Sequence, residues 1–243
     1  MPSIGSYELH TIDCGRFKLD GGAMFGIVPK PLWERQAAAD DRNRILLAMR
    51  CLLLVEDERV ILIDNGIGET YSEKFGEIYA VDYSETDLHS ALAGAGFSAD
   101  DVTDVILTHL HFDHCGGSTR GTSDEAELVF SNATYYVQRR QWAWARDPKA
   151  RDRASFLDHN LEPLEASGQL ELLDGPGELF PGVELMVVDG HTRGQQLVKI
   201  SDGEDTLVFI ADLIPTRAHF PELWNMAYDI APLDTIREKM DFL

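Results

Sequence analysis

The strongest constraint on how this chain can fold is the run His109-Leu110-His111-Phe112-Asp113-His114, which holds three histidines and an aspartate. Neutral imidazole is the commonest metal ligand in proteins and a carboxylate is a hard ligand, so the run can bind a borderline cation such as zinc. An apolar, partly β-branched segment precedes it at residues 105–108, and Cys115-Gly116-Gly117 breaks the pattern after it. The sequence therefore predicts a buried strand that ends in a loop of metal ligands.

Two later segments repeat this arrangement. His191 follows the apolar residues 187–188 within a glycine-bounded turn, and Asp212 follows the apolar residues 207–211. A strand, then a ligand, then a turn, found three times, is typical of a sheet that gathers side chains at one edge. His191 and Asp212 are therefore further candidate ligands.

Together these motifs resemble those of the metallo-β-lactamase superfamily. Thr108 to His114 match its Thr-His-x-His-x-Asp-His signature, Gly190-His191-Thr192 matches its third motif, and Asp212 matches its metal-bridging acid. The resemblance implies an α/β (α+β) fold, a four-layer αβ/βα sandwich with the site along the edge between the sheets. We expect one such domain over residues 1–243.

The resemblance also implies a ligand set for two divalent metal ions, zinc first and manganese or iron as alternatives. One ion would be held by His109, His111 and His191, and the other by Asp113 and His114, with Asp212 between them. Asp64, at the end of the apolar residues 60–63, would accept the second N–H of a ligand histidine and so fix its tautomer.

The chain departs from the family near its C-terminus. The family usually supplies one more histidine to the second metal from a late strand, whereas the only histidine here after Asp212 is His219. Residues 233–243 predict an amphipathic helix with no closing turn, so we expect the C-terminal end to be incomplete and His219 to be a pocket-wall residue. The alternatives are that His219 replaces the ligand, or that the second site is weaker.

A metal pair of this kind predicts hydrolysis. Two cations can share a water and lower its pKa toward about 7, and the metal-bound hydroxide then attacks a carbonyl. We expect cleavage of an ester, lactone or thioester of a small, partly apolar substrate, with Asp113 and Asp212 as catalytic residues. The ligand cluster with Gly116-Gly117 is similar to that of the lactonase and glyoxalase II branches, although Pro215 stands where many lactonases carry a tyrosine.

Two other classes remain open on the same scaffold. A mononuclear iron dioxygenase-type enzyme would use the same ligand types, and metal content with oxygen uptake would distinguish it. A non-catalytic metal-binding protein would show no metal-dependent turnover.

Residues 21–33 are rich in glycine, proline and large apolar side chains. They predict either a surface loop with an anchored tryptophan or an apolar wall over the metal site. In the second case the substrate pocket would contain an apolar set of side chains from two segments, namely Met24, Phe25, Trp33, His219 and Phe220.

Charge and composition exclude several partners. The chain has 42 acidic and 21 basic residues and a net charge of −21, so we expect no nucleic-acid binding. The basic residues near Trp142 and Trp144 predict a solvated helix face rather than a nucleic-acid site. The sequence has no apolar run of membrane-spanning length and no signal-peptide pattern at its start. Its three cysteines are few and odd in number, which is typical of reduced thiols in a reducing compartment. The sequence therefore predicts a cytoplasmic enzyme that acts on a small molecule. Its tryptophans are compatible with a homodimer.

Hydrophobic periodicity and turn residues predict the elements. Strands are expected at residues 7–12, 45–56, 59–63, 104–108, 128–137, 170–173, 183–188, 197–200 and 207–210. Helices are expected at residues 84–95 with Ser84 as the N-cap, and at 138–146, 153–167 and 233–243.

Overall fold

A computed structural model describes residues 2–122 and 125–243. Its strands are β1 (Ser3–Ile4), β2 (Tyr7–Asp20), β3 (Arg44–Glu56), β4 (Arg59–Ile63), β5 (Asp104–Ile106), β6 (Thr119–Arg120), β7 (Glu127–Leu128), β8 (Thr134–Gln138), β9 (Leu170–Leu173), β10 (Gly177–Phe180), β11 (Val183–Val188), β12 (Gln195–Ser201) and β13 (Thr206–Phe209). Its helices are α1 (Gly21–Phe25), α2 (Lys30–Trp33), α3 (Glu73–Tyr79), α4 (Leu88–Gly94), α5 (Phe112–Cys115), α6 (Arg139–Arg146), α7 (Asp158–Ser167) and α8 (Pro232–Phe242).

The strands form two large sheets. The first has seven strands in the order β1-β2-β3-β4-β5-β8-β9, antiparallel up to β4 and parallel from there on. The second has four antiparallel strands, β10 to β13, in chain order. Because β5 is parallel to its neighbours β4 and β8, its C-terminal end lies at the same sheet edge as theirs.

The two faces of the first sheet bury different partners. In β4, Val60 and Leu62 pack in one core with helices α4, α6 and α7, whereas Ile61 and Ile63 pack in another core with the second sheet. Successive side chains of a strand point to opposite faces, so a continuous apolar strand requires a partner layer on each side.

The outer face of the second sheet is covered in turn. Val188 and Leu197 form a separate core with Leu213 and Ile214, which follow β13, and with Phe242 of α8. The layers are therefore helices, sheet, sheet and helix, which confirms the four-layer αβ/βα expectation.

Several element boundaries differ from the expectation. Helix α4 begins after Asp87 rather than Ser84, because the Asp87 carboxylate accepts from the backbone N–H groups of His89 and Ser90 and forms a capping box. The strand expected at residues 128–137 is divided into β7 and β8 by a turn in which the Ala133 N–H donates to the Phe130 carbonyl at 3.1 Å.

Residues 21–33 contain the anchored tryptophan of the first alternative, Trp33, but they are helical rather than a loop. They fold into the short helices α1 and α2, and Phe25 and Trp33 are fully buried in a small core with Met24, Ile45 and Met226. Within the described ranges, no helix combines the length and the apolar character needed to cross a membrane.

Candidate metal centre

The ligand run lies in the loop after β5 and in the following helix α5. Leu107 and Leu110 are fully buried and anchor the loop, and α5 begins directly after His111. The two residues after α5 must be glycines, because the backbone of residues 65–67 packs directly on them. A Cβ on Gly116 would lie 2.0 Å from the Ile67 carbonyl oxygen, and a Cβ on Gly117 would lie 2.2 Å from the Asn65 carbonyl oxygen. This contact holds the loop against the segment that carries Asp64.

One group of ligands contains three buried histidines. His109, His111 and His191 each offer a ring nitrogen, and these atoms all lie within 4.8 Å of one another. The His191 Nε2 and His111 Nδ1 atoms are 3.0 Å apart. His191 comes from the loop between β11 and β12, so the group joins the edges of both sheets.

A second group contains His109, His114 and Asp212 within the same distance limit. Asp212 lies three residues after the end of β13, and its two oxygens point to different histidines. Its Oδ1 lies 3.3 Å from His114 Nε2, and its Oδ2 lies 3.3 Å from His191 Nε2. The Asp212 carboxylate thus spans the two groups, as a bridging ligand would.

Acceptors behind the site set the tautomers of three histidines. Asp64 Oδ2 accepts from His114 Nδ1 at 2.7 Å and from the Thr108 hydroxyl at 2.8 Å. Because that hydroxyl gives its only hydrogen to Asp64, His109 Nδ1, 3.1 Å from it, must carry a hydrogen itself. In their neutral forms, His109 and His114 therefore present Nε2 lone pairs to the centre.

The third acceptor is Asp229, which the sequence did not identify. Its Oδ1 accepts from His191 Nδ1 at 3.0 Å, and both residues are buried. Asp229 follows no strand pattern and belongs to no motif, so only the folded chain reveals its position beside His191.

Donor chemistry at this centre fits a divalent cation. His109 Nε2 is buried and has no hydrogen-bond partner in the structure, and the facing His111 and His191 nitrogens converge. Burial, together with neighbouring imidazoles, lowers the pKa of His109 and of His111, which favours the neutral ring that binds a metal. Burial opposes ionisation of Asp212, but His114 and His191 outweigh it and lower the pKa of its carboxyl.

Among the described residues, two of the five non-glycine residues with positive φ lie at this centre. Asp64 has φ 57° and Ala211, which precedes Asp212, has φ 44°. Such conformations cost about 1–3 kcal/mol for a residue other than glycine and persist where the surroundings enforce them. The strain coincides with the two carboxylates on which the arrangement depends.

Asp113 lies at the margin of the centre. Its carboxylate oxygen Oδ2 is 3.7 Å from His114 Nε2, and it belongs to neither ligand group. Burial raises the pKa of Asp113, although His114 opposes this shift. Its roles as a ligand and as a catalytic residue remain predictions.

A cavity of about 550 Å³ opens in front of the ligands. Its walls include Met24, Leu47, Phe112 and Ile214, and Phe112 packs against Tyr79 with ring centroids 4.9 Å apart. The cavity is thus largely apolar with the ligand set on one side, which suits a small substrate that has an apolar portion.

Only one of the five proposed pocket residues lines this cavity, namely Met24. Phe25, Trp33 and His219 are buried behind it in a stack, with centroids 5.2 Å apart for Phe25 and Trp33 and 4.7 Å for Phe25 and His219. Phe220 is 54% exposed and lies outside the lining. We call the stacked side chains of Phe25, Trp33 and His219 the packing layer. The apolar pattern of residues 21–33 reflects this packing layer rather than a wall of the cavity.

His219 belongs to neither ligand group. Its Nδ1 lies 2.7 Å from the Thr216 hydroxyl, and its Nε2 lies 2.8 Å from the Met24 carbonyl oxygen. Because a carbonyl only accepts, Nε2 carries the hydrogen and Nδ1 accepts from Thr216. Both nitrogens are thus engaged within the packing layer.

Comparison with known proteins is consistent with this geometry. The model of the metallo-beta-lactamase superfamily matches residues 50–236. An N-acyl homoserine lactonase from Bacillus cereus is 28% identical over 227 residues, which cover 88% of this chain and 79% of the lactonase.

Solved structures show the same fold. A probable metal-dependent hydrolase from Staphylococcus aureus has a TM-score of 0.92 and 35% identity, covering all of this chain and 86% of its own. The dizinc quorum-quenching lactonase AidC, solved with a product, has a TM-score of 0.78 and 23% identity, covering 99% of this chain and 84% of its own.

Proposed function

The chain belongs to the metallo-β-lactamase superfamily, and from that premise we propose that it is a binuclear zinc hydrolase of N-acyl homoserine lactones or of closely similar lactones, esters and thioesters. Its relatives named N-acyl homoserine lactonase support the substrate class, and the dizinc lactonase of the same fold supports the metal. Nitrogen and oxygen donors of this kind suit zinc, with manganese or iron as alternatives.

A single observation carries the proposal, namely the position of the Asp212 carboxylate. Each of its oxygens lies 3.3 Å from the Nε2 atom of a different histidine, one in each ligand group. A carboxylate between two convergent sets of nitrogen donors is the arrangement that two neighbouring cations require. His109, His111 and His191 would hold one ion, and His114 with Asp113 would hold the other.

When bound, the two ions would polarise the substrate carbonyl and lower the pKa of a water to near neutrality. The protein orients this chemistry. Asp64 and Asp229 keep His114 and His191 in the tautomers that present Nε2 to the centre. Asp113, at the cavity wall, would accept the proton lost by water and deliver it to the leaving alkoxide.

The cavity walls account for the substrate class. Met24, Leu47 and Phe112 offer apolar surface beside the ligands, on which an acyl chain can lie. The ester carbonyl would then face the ligand set, and the apolar portion would gain binding energy from burial.

Elemental analysis paired with a panel of chromogenic esters and of N-acyl homoserine lactones tests the proposal. We expect two equivalents of a divalent metal and hydrolysis that a chelator abolishes. His111→Ala and Asp212→Ala should lose metal and activity together, whereas the exposed control His89→Ala should keep both.

Three outcomes would contradict the proposal. One equivalent of iron with oxygen uptake would indicate an oxygenase instead. Bound metal without turnover on any substrate would indicate a binding protein. Full activity in Asp212→Ala would refute the bridging role.

A further inference from the structure

Besides a metal ion, a hydrogen-bond donor can stabilise the negative charge that develops on the carbonyl oxygen during hydrolysis of an ester. Beside the ligand set, the cavity lining contains four side chains that can donate and are not ligands, namely Tyr79, Arg151, Ser155 and Tyr228. The remaining donors of the lining, Thr11, Arg50 and Cys51, belong to strands β2 and β3.

The backbone of Tyr228 is tied to the metal centre. The next residue, Asp229, accepts from His191 Nδ1 at 3.0 Å through one oxygen. Its other oxygen accepts from the Asn225 side chain at 3.1 Å and from the Met226 N–H at 3.2 Å. The residue that follows Tyr228 is therefore fixed by three hydrogen bonds, one of them to His191.

The preceding residue is anchored as well. The Ala227 N–H donates to the Ala23 carbonyl at 2.8 Å, and Arg151 donates to the Ala227 carbonyl. Arg151 is thus engaged in holding the segment that carries Tyr228. With fixed residues on both sides, the backbone of Tyr228 is held at the cavity, whose lining includes the Tyr228 side chain.

The hydroxyl of Tyr228 is free to meet a substrate. Across the described residues, the hydroxyls of Tyr7, Tyr83, Tyr135 and Tyr136 donate to or accept from protein groups, whereas that of Tyr228 has no protein partner. Its side chain is 37% exposed at the cavity. Tyr79 also lines the cavity, but it is less exposed than Tyr228, because its ring packs between Phe75 and Phe112, with centroids 4.5 and 4.9 Å away.

On the basis of the hydrolase function proposed above, we propose that Tyr228 is a catalytic residue whose phenol donates a hydrogen bond to the carbonyl oxygen of the substrate. The bond would strengthen as that oxygen becomes anionic, so it would stabilise the transition state more than the bound substrate.

Tyr228 keeps its proton throughout the reaction. The water oxygen adds to the carbonyl carbon, and the π electron pair moves onto the carbonyl oxygen that faces Tyr228. The pair returns as the bond to the leaving alcohol breaks, and the proton lost by water ends on that alkoxide. Burial, with the nearby Tyr79, Asp20 and Asp113, raises the pKa of Tyr228 to about 12, so the phenol stays a donor at physiological pH.

Tyr228→Phe tests the assignment, with Tyr71→Phe as the matched control. Tyr71 is a partly buried tyrosine whose ring packs on Phe75 outside the cavity lining. We expect Tyr228→Phe to lower kcat/KM by about 100- to 1,000-fold. Most of this loss should lie in kcat, with metal content unchanged. Inhibition by an alkyl phosphonate ester, a tetrahedral anionic probe, should weaken by the same factor, and Tyr71→Phe should match the wild type in every measurement.

The outcomes separate this assignment from the proposed function. If the wild type hydrolyses the panel and Tyr228→Phe is equally active, the assignment fails and the hydrolase function stands. If Tyr228→Phe loses metal along with activity, the residue acts through Asp229 and His191, which overturns a catalytic role. If the wild type shows no chelator-sensitive hydrolysis, the proposed function itself fails.

Discussion

At the residue scale, the candidate centre depends on acceptors that the ligand motifs do not contain. His191 presents Nε2 to the centre only because Asp229 holds the hydrogen on Nδ1, at a distance of 3.0 Å. A carboxylate in this position also makes the imidazole a stronger ligand. Asp229 therefore contributes to metal affinity without touching the metal position.

We predict that Asp229→Ala weakens metal binding by about 10- to 100-fold, since partners of this kind have effects of that size. Asp229→Asn keeps an acceptor and removes only the charge, so its affinity should lie between those of Asp229→Ala and the wild type. Competition with a chromogenic chelator measures the affinities. The control is Asp104→Asn, a buried carboxylate that accepts from Tyr136 at the start of β5. Wild-type affinity in Asp229→Ala would show that His191 needs no partner.

His219 illustrates a second kind of residue, a histidine that acts in packing. Burial lowers its pKa, and the Lys239 ammonium lowers it further, although a hydrogen bond to the Met24 carbonyl opposes the shift. The folded protein thus prefers the neutral ring that stacks on Phe25.

This preference predicts a pH dependence of stability. The folded-state pKa of His219 lies below the unfolded value of about 6.5, so its contribution is fully present above that pH. As the pH falls below about 6.5, the unfolded chain binds the proton first and the free energy of unfolding decreases. His219→Gln can keep both hydrogen bonds without titrating, so its stability should fall less between neutral pH and about pH 5. Urea unfolding at several pH values measures the difference, with the exposed His89→Gln as the control. Parallel curves for His219→Gln and the wild type would contradict the prediction.

At the element scale, helix α8 packs against the turn that carries His191. A Cβ on Gly190 would lie 2.3 Å from the backbone nitrogen of Thr235 in α8, and the Ala231 N–H donates to the Gly190 carbonyl at 2.9 Å. The buried Lys239 of the same helix donates to the carbonyls of His219, Pro221 and Trp224. Helix α8 thus fixes both the ligand turn and the packing layer.

We predict opposite effects for the same substitution at two glycines. Gly190→Ala must push α8 away and should cost about 1–3 kcal/mol of unfolding free energy. Gly94→Ala, at the end of α4, has nothing within 4 Å of the new Cβ and should stabilise the protein by about 0.5–1 kcal/mol, since alanine favours helix. Urea unfolding reports both values. The same sign at the two positions would rule out steric contact with α8 as the cause.

Much of the element pattern could be predicted from local sequence. The expected strands at residues 59–63, 170–173 and 183–188 coincide with β4, β9 and β11, because short apolar runs bounded by turn residues leave few alternatives. Helix α3 and strand β10 were not anticipated. Helix α3 has seven residues, none of them fully buried, so its apolar periodicity is weak.

The site could be predicted as far as the motifs extend. His109, His111, His114, His191 and Asp212 come together as expected, since each follows a strand that ends at one edge. Asp229 and the true cavity walls depend on contacts between segments far apart in the chain. No local pattern distinguishes the packing of Phe25 on His219 from a pocket wall.

At the scale of the whole molecule, the candidate centre joins the two sheets. His109, His111 and His114 follow β5 of the seven-stranded sheet, whereas His191 and Asp212 follow β11 and β13 of the four-stranded sheet. Unfolding must separate these ligands, so a bound metal stabilises the folded chain by mass action. The metal would thus link the stability of the two halves.

We predict that metal raises the melting temperature of the protein through this link. At a free concentration of 100 times Kd, one bound ion should add about 2.7 kcal/mol to the free energy of unfolding. His109→Ala on one sheet and His191→Ala on the other should each remove most of this gain, although the two residues are distant in sequence. Thermal unfolding with and without a chelator measures the gain in each variant. The exposed His89→Ala should retain the full shift, and an equal shift in all three variants would show that the metal binds elsewhere.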